Sequence, residues 1–438
     1  MILHKDNKNR LDRQYTCQQD CTFELSLSNM KQFTIPFTYR SQLISPIKEK
    51  RKREDKLKKD FTPTLLDLGD VRIFLARHFG FCYGVENAIE IAFRTIDENP
   101  GKRIFLLSEM IHNPKVNQDL IERGVQFLQD TKGNSITPFS ALTKEDIVII
   151  PAFGTTLAIE TELQSIGIQI EKYNTTCPFV EKVWNRSEQI AKKNYTVVIH
   201  GKPSHEETRA TFSHAAANAA AVVVSDMADA VQLADFILGK KDIHTFLKEF
   251  DGKYSKGFDP LKHFERIGVV NQTTMLASDT QGIADFLKQV MIEKYNLTEQ
   301  NIHERFADTR DTLCYATNDN QSAVYGLLKQ KADLAIVVGG YNSSNTSHLV
   351  ELCEEKLPTY FIDGFQRIIS NQQIEHFSFH EKKQLTTDAF LPGKRPLDIL
   401  MTSGASCPDA EVEKVIHQLA AVLGIETSLS KLLETFES

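Results

Sequence analysis

Three cysteines share a local setting that suits metal binding. Cys82 lies in Gly-Phe-Cys-Tyr-Gly-Val, Cys177 in Asn-Thr-Thr-Cys-Pro-Phe-Val and Cys314 in Asp-Thr-Leu-Cys-Tyr-Ala-Thr. Each precedes a stretch with helical periodicity of apolar residues, so each is predicted to stand at a helix N-terminus. The positive end of a helix dipole favours the thiolate, which is the form that binds metal. One such cysteine alone is equally compatible with a small buried core residue, but the repeated setting favours a shared function.

The spacing of these cysteines predicts three similar α/β units that bring three thiolates to one centre. A cubane iron–sulfur cluster normally takes four cysteines, so three leave one iron free to coordinate a substrate, as a catalytic zinc keeps one open position. The other four cysteines are read differently. Cys353 is expected in the core and Cys407 at a helix start without a role. Cys17 and Cys21 have a spacing that allows metal binding but lie in a polar N-terminal extension.

Two polar loops have the composition of an anion site. They are residues 339–348, Gly-Gly-Tyr-Asn-Ser-Ser-Asn-Thr-Ser-His, and residues 402–406, Thr-Ser-Gly-Ala-Ser, and both follow apolar strands. Hydroxyl, amide and backbone N–H groups at such junctions bind phosphate well. Each loop alone is equally compatible with capping of the next helix. Two such loops in one chain favour a ligand with several phosphate oxygens.

A third polar loop offers groups for proton transfer. Residues 200–208, His-Gly-Lys-Pro-Ser-His-Glu-Glu-Thr, also follow a strand and contain His205, Glu206 and Glu207 as candidate acids or bases. A lone histidine more often has a structural role, so the loop is a candidate by its combination of groups. The polar set is completed by His112 and by the Gln-Thr-Thr sequence at 272–274.

The elements that must position these residues have the alternation of an α/β protein. From Val71 onward, short β-branched runs are each followed by a small polar turn and a helical period. The predicted strands are 71–76, 146–151, 196–200, 267–270, 334–338 and 398–402. The predicted organisation is an extension at 1–65, a first α/β unit at 66–176, a second at 177–310 with a surface insertion at 236–264, and a third at 311–438 with a C-terminal helix. Met30 is a candidate alternative start.

Composition excludes several classes of protein. The chain has 438 residues, 41% of them hydrophobic and 25% charged, which is typical of a globular protein of two or three domains. Its apolar runs have strand length and are too short to span a membrane, and its N-terminus lacks the order of a secretory signal, so we expect a cytoplasmic protein without a membrane partner. A net charge of −7 argues against nucleic acid as a partner.

One segment departs from the acidic balance of the chain. Residues 48–59 are rich in lysine and arginine. Such a patch could dock an acidic redox protein by electrostatic steering. The more common interpretation of such a charge run is a solvated linker or helix face.

The motifs together resemble the family of 4-hydroxy-3-methylbut-2-enyl diphosphate reductases, also called the LytB or IspH family, from about Val71 to Gly424. Gly-Phe-Cys-x-Gly-Val, Thr-Cys-Pro, Gly-Lys-Pro-Ser-His-Glu-Glu-Thr, Gln-Thr-Thr, Cys-Tyr-Ala-Thr, Asn-Ser-Ser-Asn and Ser-Gly-Ala-Ser occur in the order of the family. The resemblance implies three pseudo-equivalent α/β units around a central iron–sulfur cluster. It also implies reductive dehydroxylation of (E)-4-hydroxy-3-methylbut-2-enyl diphosphate to isopentenyl and dimethylallyl diphosphate, the last step of the non-mevalonate pathway.

The resemblance also assigns roles to particular residues. It implies one four-iron four-sulfur cluster held by Cys82, Cys177 and Cys314, with reduced ferredoxin or flavodoxin as the electron donor. Glu207 would supply protons, helped by Thr273 and His205, which would also contact the substrate. The remaining substrate-binding residues that the resemblance implies, all on the diphosphate, are His112, Ser343, Ser344, Asn345 and Ser406.

One position departs from the family pattern. Many members have Ala-His-Gly, with the histidine on the diphosphate, where this chain has Phe153 between Ala152 and Gly154. A phenyl ring cannot donate to phosphate, so backbone N–H groups near Thr155 are expected to replace it. This form resembles the plant and cyanobacterial branch. Two other readings stay open: a three-cysteine enzyme of the quinolinate synthase kind, and a non-catalytic protein with a structural metal and a phospholigand pocket.

Overall fold

A computed structural model of the protein describes residues 33–307 and 312–437. The strands are β1 (Thr64–Asp67), β2 (Val71–Leu75), β3 (Ile104–Leu106), β4 (Gln126–Phe127), β5 (Ile147–Ile149), β6 (Thr196–His200), β7 (Ala221–Val224), β8 (Ile267–Asn271), β9 (Phe306–Ala307), β10 (Leu334–Val338), β11 (Thr359–Ile362), β12 (Gln373–Ser378), β13 (Lys383–Asp388) and β14 (Leu397–Ser403). The helices are α1 (Ile44–Glu54), α2 (Tyr83–Glu98), α3 (Pro114–Glu122), α4 (Leu157–Ile166), α5 (Pro178–Ala191), α6 (Glu206–Ala216), α7 (Met227–Ile237), α8 (Ile243–Glu249), α9 (Pro260–His263), α10 (Ala277–Tyr295), α11 (Tyr315–Leu327), α12 (Ser344–Glu354), α13 (Asp409–Leu423) and α14 (Glu426–Glu437). None of the described helices has both the length and the apolar character needed to cross a membrane.

Three mainly parallel sheets carry the architecture. Their strand orders are β4-β3-β5, β7-β6-β8-β9 and β1-β2-β14-β10-β11, and every neighbouring pair is parallel except β1 with β2. A separate antiparallel hairpin consists of β12 and β13. All six strands predicted from β-branched runs are present. The α/β class with three units is therefore confirmed.

The third sheet joins strands from both ends of the described chain. β2 pairs with β14 in parallel, from Val71 beside Leu397 to Leu75 beside Met401. The predicted boundary at residue 66 groups β2 with the first unit, whereas its hydrogen bonds belong to the third sheet. Cys82 follows β2, so this pairing carries the first cysteine to the third unit.

The core contains two segments that were expected at the surface or outside the fold. Within residues 236–264, five phenylalanines are buried against the second sheet, and the Phe246 and Phe250 rings stack at 5.1 Å. This segment is therefore part of the core, which corrects its prediction as a surface insertion. The described part of the predicted extension includes α1, whose Ile44 and Ile47 enter the core of the third sheet. Cys17, Cys21 and Met30 lie outside the described residues.

Two helical glycines provide a matched test of packing. A Cβ at Gly326 in α11 would lie 2.1 Å from the backbone oxygen of Phe61, whereas a Cβ at Gly282 in α10 would be 3.5 Å from its nearest neighbour, Met227 Cε. We expect Gly326→Ala to lower the free energy of unfolding by roughly 1–3 kcal/mol, because backbone must move. Gly282→Ala should be neutral or stabilising by up to about 1 kcal/mol, since alanine is the better helix former. Denaturant titration measures both, and equal stability of the two variants would contradict this packing.

Candidate active site

The three predicted cysteines are the residues that immediately precede three helices. Cys82, Cys177 and Cys314 are the N-caps of α2, α5 and α11, and all three line one cavity. Backbone N–H groups of the first helical turn point at each sulfur. These contacts suit thiolate ligands, because hydrogen bonds to ligating sulfurs tune an iron–sulfur cluster.

Hydrogen bonds join each cysteine, or a residue close to it, to a different part of the chain. The Cys82 N–H donates to Ala405 O at 3.2 Å, and the Cys177 N–H donates to Ala152 O at 2.9 Å. Near the third cysteine, Thr312 Oγ1 donates to Asn271 Oδ1 at 2.8 Å. Tertiary contacts thus bring the cysteines and the polar loops to the same centre, as the family resemblance implies.

The spacing of the thiols suits a group larger than one metal ion. A tetrahedral zinc site with zinc–sulfur bonds of about 2.3 Å places its sulfurs about 3.8 Å apart. Among the described residues, the three thiols do not form a group in which every pair of ligand atoms lies within 4.8 Å. At Gly84, a Cβ would lie 2.5 Å from Cys177 Sγ, so the glycine permits the close approach of α2. The thiols are therefore too far apart, as a set, for one tetrahedral ion and leave room for a larger group.

Because the three thiols are buried, their thiolate forms are unfavourable unless a cation lies nearby. Burial raises the pKa of Cys82 to about 12, and it also raises the pKa of Cys177 and of Cys314. The neighbouring thiols add to the effect at Cys82 and Cys177. Three thiolates at this position therefore need positive charge beside them, which a bound metal cation would supply.

The candidate proton donor is a buried carboxyl group held by two hydrogen bonds. Glu207 Oε1 accepts from the Thr273 N–H at 2.5 Å, and Oε2 accepts from Thr273 Oγ1 at 2.9 Å. Burial raises the pKa of Glu207 to about 7, while the two bonds from Thr273 oppose the rise. A carboxyl group with this pKa can hold a proton and release it near neutral pH.

The candidate helper His205 has a defined tautomer. Its Nδ1 accepts a hydrogen bond from the Glu207 N–H at 3.2 Å. Burial, and then the charge of His112, lower the pKa of His205 well below its usual value, so the ring is neutral. A neutral ring that accepts at Nδ1 carries its hydrogen on Nε2. This Nε2 is buried without a hydrogen-bond partner among the described residues, which makes it a donor ready for a ligand.

Two further unsatisfied donors line the same cavity. Ser344 Oγ and Asn345 Nδ2 are buried and have no partner within the described part of the chain. Asn345 is oriented by its Oδ1, which accepts from the Ala405 N–H at 2.9 Å. Because unpaired buried donors are costly, their cluster at the N-terminus of α12 indicates an anion site. Ser343 caps α12, and Ser406 Oγ lies 3.5 Å from its hydroxyl.

Phe153 occupies the place where a ligand histidine was expected from the family pattern. Its ring centre lies 4.3 Å from that of His112 and 5.5 Å from that of His205. Thr155, near which replacement donors were expected, is not among the residues that line the cavity. The unsatisfied donors on Ser344 and Asn345, in the first turn of α12, do line it. His205 Nε2 is a further unsatisfied donor, on a ring that packs against the lining residues His112 and Phe153.

Two residues have supporting contacts that the sequence did not predict: Glu206, which the sequence offered as a candidate acid or base, and Gln272. Glu206 Oε2 lies 3.1 Å from His112 Nε2, so the first carboxylate of the Glu-Glu pair orients the histidine while the second faces Thr273. Gln272 Oε1 accepts from the Lys202 N–H and from Thr208 Oγ1 and so holds the catalytic loop. Adjacent carboxylates and the Gln-Thr-Thr motif were the available signals, but which partner each residue contacts is a tertiary property.

The raised pKa of Glu207 predicts a pH dependence of stability in the metal-free, reduced protein. Because the folded value of about 7 exceeds the ordinary value of 4.5, the stabilising contribution is full at low pH and is lost as pH rises from 4.5 towards 7. We expect the unsubstituted protein to lose about 3 kcal/mol more than Glu207→Gln over this window. Urea titration at several pH values measures the difference, and parallel curves for the two proteins would contradict the assignment.

Comparison with known proteins identifies the family of the chain. The family model described as LytB protein matches residues 73–420. A 4-hydroxy-3-methylbut-2-enyl diphosphate reductase from Picosynechococcus sp. is 43% identical over 357 residues, which cover 81% of this chain and 86% of the relative. The protein of the same name from Trichodesmium erythraeum is 39% identical over 385 residues, covering 88% and 90%.

A solved structure shares the fold. That of E-1-hydroxy-2-methyl-but-2-enyl-4-diphosphate reductase from Plasmodium falciparum gives a TM-score of 0.57 at 22% identity and covers 80% of this chain and 88% of that one. The relatives named above agree with the cyanobacterial-like branch inferred from the sequence. The alternatives of a quinolinate synthase type and of a non-catalytic binding protein are set aside by the family match. The chain belongs to the LytB protein family.

Proposed function

We propose that the chain is an iron–sulfur oxidoreductase that converts (E)-4-hydroxy-3-methylbut-2-enyl diphosphate to isopentenyl and dimethylallyl diphosphate, the last step of the non-mevalonate pathway. The reaction consumes two electrons and two protons, replaces a C–O bond with a C–H bond and releases water. The observation that carries the proposal is that three helix-capping cysteines and the Glu207–Thr273 pair line one cavity.

The proposed cofactor is one four-iron four-sulfur cluster with Cys82, Cys177 and Cys314 as its ligands. When bound, such a cluster supplies electrons one at a time and offers one iron without a protein ligand. The N-terminal turns of α2, α5 and α11 support the thiolates through backbone N–H groups. Three protein ligands match the need for one open coordination position.

Glu207 is proposed as the acid that protonates the departing hydroxyl. Its carboxyl is buried, which favours the protonated form below a pH of about 7. Thr273 fixes its orientation through two hydrogen bonds, and His205 fixes the start of α6 by accepting from its backbone N–H. These contacts hold the proton beside the cavity while water is excluded by the surrounding core.

The diphosphate is proposed to bind at the N-terminus of α12. Ser344 Oγ and Asn345 Nδ2 are unsatisfied donors there, and the helix dipole favours an anion. His205 Nε2, at the start of α6, is proposed as a further donor. His112, Ser343 and Ser406 complete the substrate-binding set. A fixed diphosphate sets the distance to the reacting carbon. Such orientation lowers the activation free energy by several kcal/mol, on the order of the effect in intramolecular reactions.

The proposed partners follow from this chemistry. Electrons come from reduced ferredoxin or flavodoxin, and neither a membrane nor nucleic acid takes part. A cytoplasmic location stays a prediction from the sequence.

Turnover by the reconstituted protein tests the function. Under anaerobic conditions with reduced methyl viologen, we expect conversion of the hydroxylated diphosphate to the two five-carbon diphosphates. Glu207→Gln should lower kcat by about 10²–10⁴ with little change in KM, because the acid is lost. Glu206→Gln is the neighbouring control and should mainly raise KM, since Glu206 contacts His112. A loaded cluster without turnover in the unsubstituted protein would show that the substrate assignment is wrong.

The diphosphate site predicts opposite behaviour for two serines of α12. Ser344 Oγ has no partner among the described residues, whereas Ser347 Oγ donates to Ser343 O at 3.0 Å. Ser344→Ala should raise KM roughly tenfold or more, through loss of a bond to a charged ligand, without lowering the melting temperature. Ser347→Ala should leave KM unchanged. An unaltered KM in Ser344→Ala would remove this hydroxyl from the anion site.

A further inference from the structure

A strongly basic segment lies on the surface of this acidic protein. Residues 48–59 contain eight basic and three acidic side chains, a net charge of +5, whereas the whole chain carries −7. Several of the basic side chains are exposed and form no ion pair with any residue that the structure describes. They are Lys50, Lys52, Arg53, Lys56 and Lys59. Charge of one sign is therefore concentrated and uncompensated here.

The segment is held in a fixed shape. The Arg51 guanidinium donates to Asp60 Oδ2 and to Thr62 O, both at 2.9 Å, and so closes the turn after α1. Asp55 accepts from the backbone N–H groups of Lys59 and Asp60. This ordered turn does not fit the alternative of a solvated linker. It also presents Leu57, which is 59% exposed, in the middle of the basic side chains.

Two contacts join the basic segment to parts of the chain that carry proposed cluster ligands. Lys48 Nζ donates to Phe79 O at 2.7 Å, in the loop that leads to Cys82. Lys58 Nζ lies 3.4 Å from Asp319 Oδ2, on the helix that begins directly after Cys314. The basic segment therefore contacts the loop before one proposed ligand and the helix after another.

An aromatic pair continues this surface. Tyr315 directly follows Cys314, is 49% exposed and is one helical turn from Asp319. Its ring packs edge-to-face on Phe179 at 5.6 Å, and Lys182 Nζ lies 5.3 Å from the ring centre. Phe179 stands two residues after Cys177. The exposed ring of Tyr315 and the half-buried ring of Phe179, each close in sequence to a proposed ligand, provide a short route from the surface to the cluster site.

We propose that Tyr315, Phe179, Lys182 and residues 48–59 form a docking surface for a small acidic protein that carries one electron at a time. This inference rests on the proposed function, which needs two electrons for each C–O bond that is broken. Two reduced carriers dock in turn and each is oxidised by one electron. With two protons, these electrons yield the C–H bond and water. Basic groups steer the acidic partner, and Leu57 and Tyr315 supply apolar contact.

A charge-reversal variant tests the surface. We compare Lys52→Glu, Arg53→Glu and Lys56→Glu in one protein with a control that combines Lys240→Glu, Lys256→Glu and Lys262→Glu, which are exposed on the second unit and change the net charge equally. The probe is an acidic plant-type ferredoxin. Calorimetry gives its Kd in the oxidised form, and turnover gives its KM in the reduced form. We expect both to rise by about tenfold or more in the first variant and not in the control.

The expected pattern includes a salt effect and an unaffected small reductant. Added salt should weaken ferredoxin binding to the unsubstituted protein and not to the first variant, because screening acts on the charges that were removed. Turnover with reduced methyl viologen and the KM for the diphosphate should match those of the unsubstituted protein. Equal Kd in both triple variants would overturn the proposed surface. If the unsubstituted protein turns over with viologen but does not bind ferredoxin, the proposed partner is wrong. If it does not turn over with viologen, the proposed function is wrong, and the Kd comparison stays valid.

Discussion

Convergence of three helix N-termini on one buried cavity is the constraint on which the site depends. Each first turn directs backbone N–H groups at the sulfur of the cysteine that caps it. A fourth helix, α12, directs its N-terminus and the side chains of Ser344 and Asn345 to the same cavity. Positive dipole ends from four helices thus act on one small volume, which favours anionic sulfur and anionic phosphate together.

Burial adjusts the chemistry of the three cysteines and of Glu207 in this cavity, and of His205 near it. It disfavours the thiolates unless a cation is present, keeps His205 neutral and raises the pKa of Glu207 to about 7. Low-polarity surroundings disfavour the charged form of each group. His205 is therefore a neutral donor, Glu207 holds a proton, and the thiols need a metal cation in order to ionise. Hydrogen bonds from Thr273 then moderate the penalty at Glu207.

The segment before β1 links the fold to function. α1 enters the core of the third sheet through Ile44 and Ile47. Lys48 on this helix contacts the loop before Cys82, and Lys58 in the turn after it contacts the helix that follows Cys314. The apolar residues determine where α1 packs, and the polar residues determine which partners its surface can bind. In the same way, replacement of a histidine by Phe153 leaves an aromatic contact with His112, and donors from α12 remain available for the anion.

Local sequence by itself determined the positions of the six strands, the three helix starts at Cys82, Cys177 and Cys314 and the polar loops, because periodicity and capping act over a few residues. Tertiary structure alone decided that β2 pairs with β14 and that the phenylalanines of 236–264 are buried. It also decided that Glu207 faces Thr273 while Glu206 faces His112. These outcomes depend on pairing and burial between residues far apart in the chain, on which short-range patterns carry no information.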